Sequence, residues 1–279
     1  MIAYAHAGQN HLDDFLAVIT ARLKGYEIKR VPKLPEPLGE TDIAIDIGEM
    51  WDGERYFDHH HDSSLPCSAA LLWEAWSADR LCDALAESEA LEDLNLADTR
   101  VGIAGLPESR RPERVHLRAL LESEQALLQD PEACRAVLEV FAAAESLREF
   151  VERCYADPSL QPILQAQLQR TLAAEREEER LIRGIEVREW NGIRIGVSRE
   201  PLARAVQRAF EALQVDALIA PNEREPDKVS VVRDSQGRYG DRTVWELFPA
   251  LAERATFRHN AGFMMVVALS VEEALALLG

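Results

Sequence analysis

Phe57-Asp58-His59-His60-His61-Asp62 sets three adjacent histidines between two aspartates, in a chain that holds only seven histidines among 279 residues. Packing gives no reason for such a run. Buried, its groups carry a large desolvation cost unless they are paired or bind a metal. Exposed, they do nothing for a fold. A metal site is the economical reading. The residues before the run decide the architecture. Arg55-Tyr56-Phe57 reads as a short strand that delivers it, and Asp42-Ile43-Ala44-Ile45-Asp46-Ile47-Gly48 as a buried parallel strand ending at Asp46 or just after.

Further upstream, Ile2-Ala3-Tyr4-Ala5 reads as a buried strand and His6-Ala7-Gly8-Gln9-Asn10 as a loop. A helix is expected from about Leu12 to Leu23, with Phe15, Leu16, Ile19 and Leu23 on one face. Asp13 and Asp14 fall in its first turn, where the helix dipole favours carboxylates. That accounts for one of them and leaves His6 and His11 unexplained. Tyr26 to Val31 is a second strand, and the proline-rich Pro32 to Pro37 an extended connector. Strand, helix, strand, loop, strand, loop is the start of a doubly wound α/β sheet, which gathers ligands outside the carboxyl ends of its strands.

Downstream, a helix is expected from Cys67 to about Trp76, with helical pattern on to Leu91. Leu94-Asn95-Leu96-Ala97 is a second apolar run ending at a carboxylate, Asp98. After a break over Pro107–Pro112, His116 to Tyr155 reads as two helices parted near Asp130-Pro131, and Ile163 to Gly184 as one long helix. The character then changes. Two alternating runs, Gly184–Trp190 and Ile193–Val197, flank Asn191-Gly192, a strong hairpin signal. Pro201 is expected to open a helix to about Leu213. Asp216–Ala220, Lys228–Val232 and Phe263–Ala268 read as strands. Thr243-x-x-Glu246 reads as a capping box for a helix through Ala252, and Ser270-x-x-Glu273 as one for the last helix. The expected organisation is a parallel-sheet α/β domain over 1–162, a linker helix over 163–183 and a smaller mixed α/β domain over 184–279.

The chain is 47% apolar, enough for a proper core, with net charge −18. An acidic surface repels long polyanions, so substrate phosphates would need metal ions or a few placed arginines. No segment reaches the roughly 18 apolar residues of a membrane span. The N-terminus lacks a basic region followed by an apolar core, so a cytoplasmic address is expected. Cys67, Cys82, Cys134 and Cys154 form no C-x-x-C pair. Reduced, partly buried thiols are expected rather than thiolate zinc.

The polar residues at strand ends or in the loops that follow are His6, His11, Asp13, Asp46, Asp58, His59, His60 and Asp98. This all-N/O set suits Mn(II), Mg(II), Fe(II), Co(II) or Zn(II). It is too large for one ion and suits two, with a carboxylate such as Asp46 able to bridge. Two ions about 3.5–4 Å apart can generate a hydroxide nucleophile and clamp an in-line displacement at phosphorus. Alternation along an extended segment would point His59 at the metals and His60 at the substrate, leaving His61 spare.

Asp58-His59-His60 after such an N-terminus resembles the DHH phosphoesterase superfamily, whose members include single-strand exonucleases, small-oligonucleotide hydrolases and family II inorganic pyrophosphatases. His6-x4-His11-x-Asp13, in place of the usual His-x3-Asp-x-Asp, is similar to the branch described as "metal-dependent protein hydrolase", which includes a eukaryotic 3′-to-5′ RNA exonuclease. His259-Asn260-Ala261-Gly262-Phe263 is similar to that branch's His-x-x-Gly-Phe ending. The resemblance implies a DHH catalytic domain, a linker helix and a C-terminal substrate domain. It implies His6 and His11 on one metal, Asp13 and His59 on the other, Asp46 bridging, and Asp98 as the last ligand. Asp58 would orient a neighbour, and His60, Arg258, His259 and Asn260 would meet substrate phosphate. Manganese(II) is the expected ion. The expected activity is a two-metal-ion phosphoesterase on short or single-stranded nucleic acid, exonuclease-like. The alternatives are hydrolysis of a small phosphoanhydride such as pyrophosphate, polyphosphate or a signalling nucleotide, and metal or nucleotide binding without turnover. No membrane partner is expected, and oligomeric state is left open, a homodimer being one option.

Overall fold

The computed structural model describes residues 1–8, 11–202, 205–235 and 237–278. The chain forms two compact units, Met1–Leu172 and Ala173–Gly279. In the first, β1 (Ile2–His6), β2 (Glu27–Val31), β3 (Ile43–Ile45) and β4 (Tyr56–Phe57) form a parallel sheet in the order β2-β1-β3-β4. Helix α1 (Leu12–Leu23) follows β1, with the bounds its periodicity predicts. Of the expected loop before it, Gln9 and Asn10 lie outside the described residues. The chain moves one way from β1 to β2, then returns across β1 to lay down β3. The switch point therefore falls between β1 and β3, and His6 and Asp46 are the residues at their carboxyl ends.

The core explains why these segments take these forms. Ala3, Ala5, Ile43, Ile45 and Phe57 from the sheet pack with Phe15, Leu16 and Ile19 of α1 and with Leu71, Leu72 and Trp73 of α2 (Ser68–Ala75). All of Leu12–Ala21 is buried, because the helices that come later close over α1. Those helices are α3 (Arg80–Ala86), α4 (Ala90–Leu96), α5 (Arg114–Glu122), α6 (Glu124–Leu127), α7 (Pro131–Ala142) and α8 (Leu147–Ala156). The expected break at Asp130 is present, with its carboxylate capping α7. A second break parts α7 from α8, where Ser146 caps α8 and the buried Asp93 accepts from Leu147 N (3.1 Å) and Arg110 Nε (2.6 Å). Asp98 departs from expectation. It lies on no strand end but in a π-helical turn, Ala97–Val101, that continues α4. The four cysteines are free and buried.

Helix α9 (Gln161–Arg183) runs from the first unit into the second. There β5 (Glu186–Trp190) and β6 (Ile193–Val197) pair across Asn191 and Gly192, whose φ of 48° and 76° make the primed turn that the Asn-Gly signal demands. With β7 (Ala217–Pro221), β8 (Val229–Arg233), β9 (Ala255–Arg258) and β10 (Met264–Val267) they form a mixed sheet, β5-β6-β7-β8-β10-β9. Helix α10 (Val206–Leu213) packs on one face. It starts later than Pro201, and Ala203 and Arg204 lie outside the described residues. The other face carries α11 (Val244–Leu247), α12 (Pro249–Ala252) and α13 (Val271–Leu278). The Thr243–Glu246 capping box is formed, but the expected helix to Ala252 is split at Phe248, since Pro249 has no N–H to continue α11. Strand β9 went unpredicted: most of it is exposed, so it shows no alternation to read. No helix among the described residues is long and apolar enough to cross a membrane.

Candidate metal centre

Parallel strands bring their carboxyl ends to one edge. There His6 ends β1, Asp46 follows β3 and Asp58 follows β4. Asp46 takes a left-handed backbone conformation (φ 54°), a strained state for a non-glycine residue and one that clusters at functional sites. Three overlapping groups form, each with ligand atoms within 4.8 Å of one another: Asp46, Asp58, His59 and His60; His6, His11 and Asp46; His11, Asp13 and Asp98. Asp46 and His11 each belong to two of them.

Ser68, the first residue of α2, organises this edge and was not singled out from the sequence. Its hydroxyl donates to Asp46 Oδ1 (3.0 Å). With that proton committed, the hydroxyl accepts from His59 Nδ1 (3.2 Å), which leaves His59 Nε2 bare. Its backbone N–H donates to Asp13 Oδ2 (3.3 Å). A serine opening an apolar helix reads as an ordinary helix start, so only the three-dimensional contacts distinguish it.

His59 and His60 do not alternate. Their rings stack, with centroids 4.5 Å apart and planes 24° apart, and both Nδ1 atoms approach Asp46 Oδ1, at 3.8 and 3.5 Å. The strand ends at Phe57 and the chain turns, Asp62 N donating to His59 O (3.0 Å), so the pleat that would separate the two side chains is absent. Asp58, 1% exposed, accepts from His60 Nδ1 (2.7 Å), His60 N (3.0 Å) and Glu49 N (2.8 Å). Burial pushes the Asp58 carboxyl up, but these bonds outweigh it and hold the carboxyl below the usual range.

The centre has too much negative charge for its surroundings. Asp13 Oδ1 and Asp46 Oδ2 are buried with no hydrogen-bond partner, and Asp98 Oδ2 stands 3.1 Å from His59 Nε2, to which it can bond only when the imidazole is protonated. Burial, then repulsion from Asp98, Asp46 and Asp14, lifts the Asp13 carboxyl well above the usual range. Burial lowers the His59 pKa, but the Asp98 carboxylate outweighs it and raises the imidazole. Orphaned carboxylate oxygens facing bare imidazole nitrogens are a set that divalent cations satisfy. By donor chemistry and by unsatisfied atoms, the residues fit such cations.

A pH prediction follows. An acid with a raised folded pKa keeps its proton where the unfolded chain has lost it, so stability falls as pH rises through that window. His59 acts in the same sense: its contribution is present below its unfolded pKa and lost as pH rises through the raised one. The metal-free chain is expected to gain stability as pH falls from neutral to about 5. The cation-loaded chain should lose stability over the same range, because protons compete for the ligands. Melting curves with EDTA and with saturating Mn(II) check the two signs.

In the second unit, Arg258 ends β9, and His259 and Asn260 lie in the turn to β10. Arg258 lies over the Trp245 ring (5.5 Å) and donates to Ala252 O (2.9 Å). His259 Nδ1 accepts from Ala261 N (3.2 Å), so its Nε2 carries the proton and can donate. Asn260 is exposed.

Residues 2–80 match the sequence profile of MYG1_exonuc, uncharacterised protein family UPF0160. A MYG1 protein of Schizosaccharomyces pombe is 41% identical over 59 residues, 20% of this chain and 18% of that protein. A MYG1 protein of Saccharomyces cerevisiae is 28% identical over 110 residues, 34% of this chain and 32% of that protein. These matches span less than a third of the relatives' lengths or about that much. Among solved structures, the exonuclease RecJ bound to manganese superposes over 99% of this chain and 87% of its own, with a TM-score of 0.42 and 14% identity. Over residues 2–80, the stretch that carries both histidine motifs, this chain resembles the MYG1_exonuc family.

Proposed function

We propose that this chain is a metal-dependent phosphoesterase that trims nucleotides from an end of short or single-stranded nucleic acid. One observation carries the reading: at the switch point of a parallel sheet, buried carboxylates with orphaned oxygens stand among histidines in overlapping ligand groups. The matched family's name points to exonuclease activity among its members. The residues proposed to hold two divalent cations, manganese first among them, are His6, His11, Asp13, Asp46, His59 and Asp98. Bound there, the cations would supply charge neutralisation for phosphate oxygens and activation of water.

The other roles belong to the chain itself. Ser68 fixes the His59 tautomer. Asp58 holds His60 by Nδ1, so that the half-exposed ring offers Nε2 outward. We assign His60 to a substrate phosphate oxygen, and His259 Nε2–H, with Arg258 and Asn260, to the same class of group from the C-terminal domain. A hollow of about 340 Å³ is lined by Leu65, Pro66 and Leu96, by Ser63, Asn95 and Arg100 as donors and by the Glu92 carboxylate, residues that follow the His run or flank Asp98 in the chain. We assign it to a nucleoside of the substrate.

Purified protein with Mn(II) is expected to release mononucleotides from a short oligomer, and His59→Ala to abolish the release. No release from any RNA or DNA oligomer would sink the reading. A second reading, hydrolysis of a small phosphoanhydride, is favoured by the net charge of −18, which opposes polyanion binding. Phosphate release from pyrophosphate or polyphosphate, without release from oligomers, would select it.

A further inference from the structure

The chain places two aspartates side by side at the start of α1, and the structure treats them differently. Asp13 keeps one oxygen unpartnered and shares a ligand group with His11 and Asp98. Asp14 has both oxygens occupied: Arg30 Nη1 donates to Oδ2 (3.0 Å) and Arg30 Nη2 to Oδ1 (3.3 Å). The same guanidinium donates from Nη1 to the His6 carbonyl (3.1 Å). Its opposite edge is held by Glu124, Oε1 accepting from Nε (2.8 Å) and Oε2 from Nη2. The side chains of Asp14, Glu124 and Arg30 are 0%, 6% and 19% exposed. This is one planar cation forked between two buried carboxylates, a geometry that arginine alone can supply.

We propose that Arg30 and Glu124 are positioning residues of the metal centre: Arg30 withholds Asp14 from the ligand set and fixes the backbone of His6, and Glu124 locks Arg30 in place. The proposal rests on the metal-binding part of the reading above and not on the identity of the substrate. Asp14 Oδ2 lies 3.8 Å from His6 Nε2, close enough to draw the ring or to compete for its cation. A buried carboxylate so near a ligand must be neutralised, protonated or coordinated. Arg30 pairs with it through two hydrogen bonds and a charge that is not lost at any working pH, although burial still lifts the Asp14 carboxyl to about 6. Without Glu124, one edge of the guanidinium would lose its partners and nothing would fix the rotamer. Glu124 stands on α6, beyond residues 2–80 that match the family, and 94 residues from Arg30. The helical segment that covers α1 therefore sets the geometry of the ligands at the sheet edge.

The test is Mn(II) titration calorimetry on the full chain, which reads affinity without reference to hydrolysis. Glu124→Gln keeps the side-chain length and removes the charge and half of the fork. It is expected to weaken Mn(II) binding about 10–100-fold, the usual cost of losing a group that orients a ligand. Arg30→Lys should weaken it comparably, since an ammonium cannot bridge both carboxylates. Arg30→Met should weaken it most among the Arg30 variants. Adding Asp14→Asn to Arg30→Met should restore much of the loss, because the competing carboxylate is gone; that non-additivity is a signature a merely structural role would not give. If Glu124→Gln does not fold, the Arg30 and Asp14 variants carry the same test. Wild-type affinity in Glu124→Gln and Arg30→Lys, with only a lower melting temperature, would overturn the proposal and leave the metal centre standing. Failure of the wild-type chain to bind Mn(II) would overturn both.

Discussion

Asp46→Asn is expected to raise the melting temperature of the metal-free chain and to abolish the proposed metal-dependent hydrolysis. The two effects have one cause. Asp46 is 3% exposed, its Oδ2 has no partner, and its charge is among those that lift the Asp13 carboxyl. Without a cation, that charge repels the buried Asp13 carboxyl. The amide removes it and still accepts from Ser68 Oγ through its oxygen. Asparagine also tolerates the left-handed backbone at this position, so φ 54° is no obstacle. A gain of about 1 kcal/mol, or roughly 2–4 °C for a chain of this size, is in scale with relieving strain at a functional site. With metal the sign reverses. Asp46 sits in two of the three ligand groups, so its loss should exceed the about 10–100-fold cost of removing a group outside the ligand set. Calorimetric melting in EDTA reads the first effect, and Mn(II) titration with oligonucleotide turnover reads the second. A variant that melts lower in EDTA and keeps its activity would make Asp46 a structural residue.

The residues gathered at the candidate metal centre were half legible in the sequence, and the divide has a physical basis. His6, Asp46 and Asp58 could be placed because each ends an apolar strand, and parallel strands end at one edge. Asp13 could be placed because α1 begins where its periodicity says. Contacts set by tertiary packing left no such trace. Arg30 is one of several charged residues on a half-exposed strand, and its partner is 94 residues away. Ser68 carries no local signal either. The stacking of His59 on His60 depends on a turn that the sequence pattern read as extended chain. Asp98 was identified by type and placed in the wrong element, because a π-helical turn that ends a helix looks like any apolar run before a carboxylate. In the second unit the hairpin was legible from Asn191-Gly192 alone, whereas exposed β9 and the proline split between α11 and α12 were not.

Trp73→Ala should be the most destabilising single change in the first unit, by about 3–5 kcal/mol. Trp73 is fully buried, its ring centroid lies 5.3 Å from that of Phe141, and its indole N–H donates to Thr20 Oγ1 (3.0 Å), which in turn donates to Leu16 O (2.8 Å). Truncation opens a cavity between α1 and α2 and removes the partner of a buried hydroxyl. Trp73→Phe, which fills most of the space and loses only the N–H, should cost much less. The consequence for the metal centre differs in kind from that of Asp46→Asn. Trp73 is in none of the candidate ligand groups, but it lies on the helix whose first residue, Ser68, ties Asp13, Asp46 and His59 together. Folding and metal binding are then linked by mass action: a cation that binds only the folded chain restores stability as its concentration rises. Saturating Mn(II) is expected to raise the melting temperature of Trp73→Ala about as far as that of the wild type, and to leave Asp46→Asn unmoved. Chemical denaturation with and without Mn(II) separates the two classes, and a Trp73→Ala chain that gains nothing from the metal would place Trp73 in the ligand geometry itself.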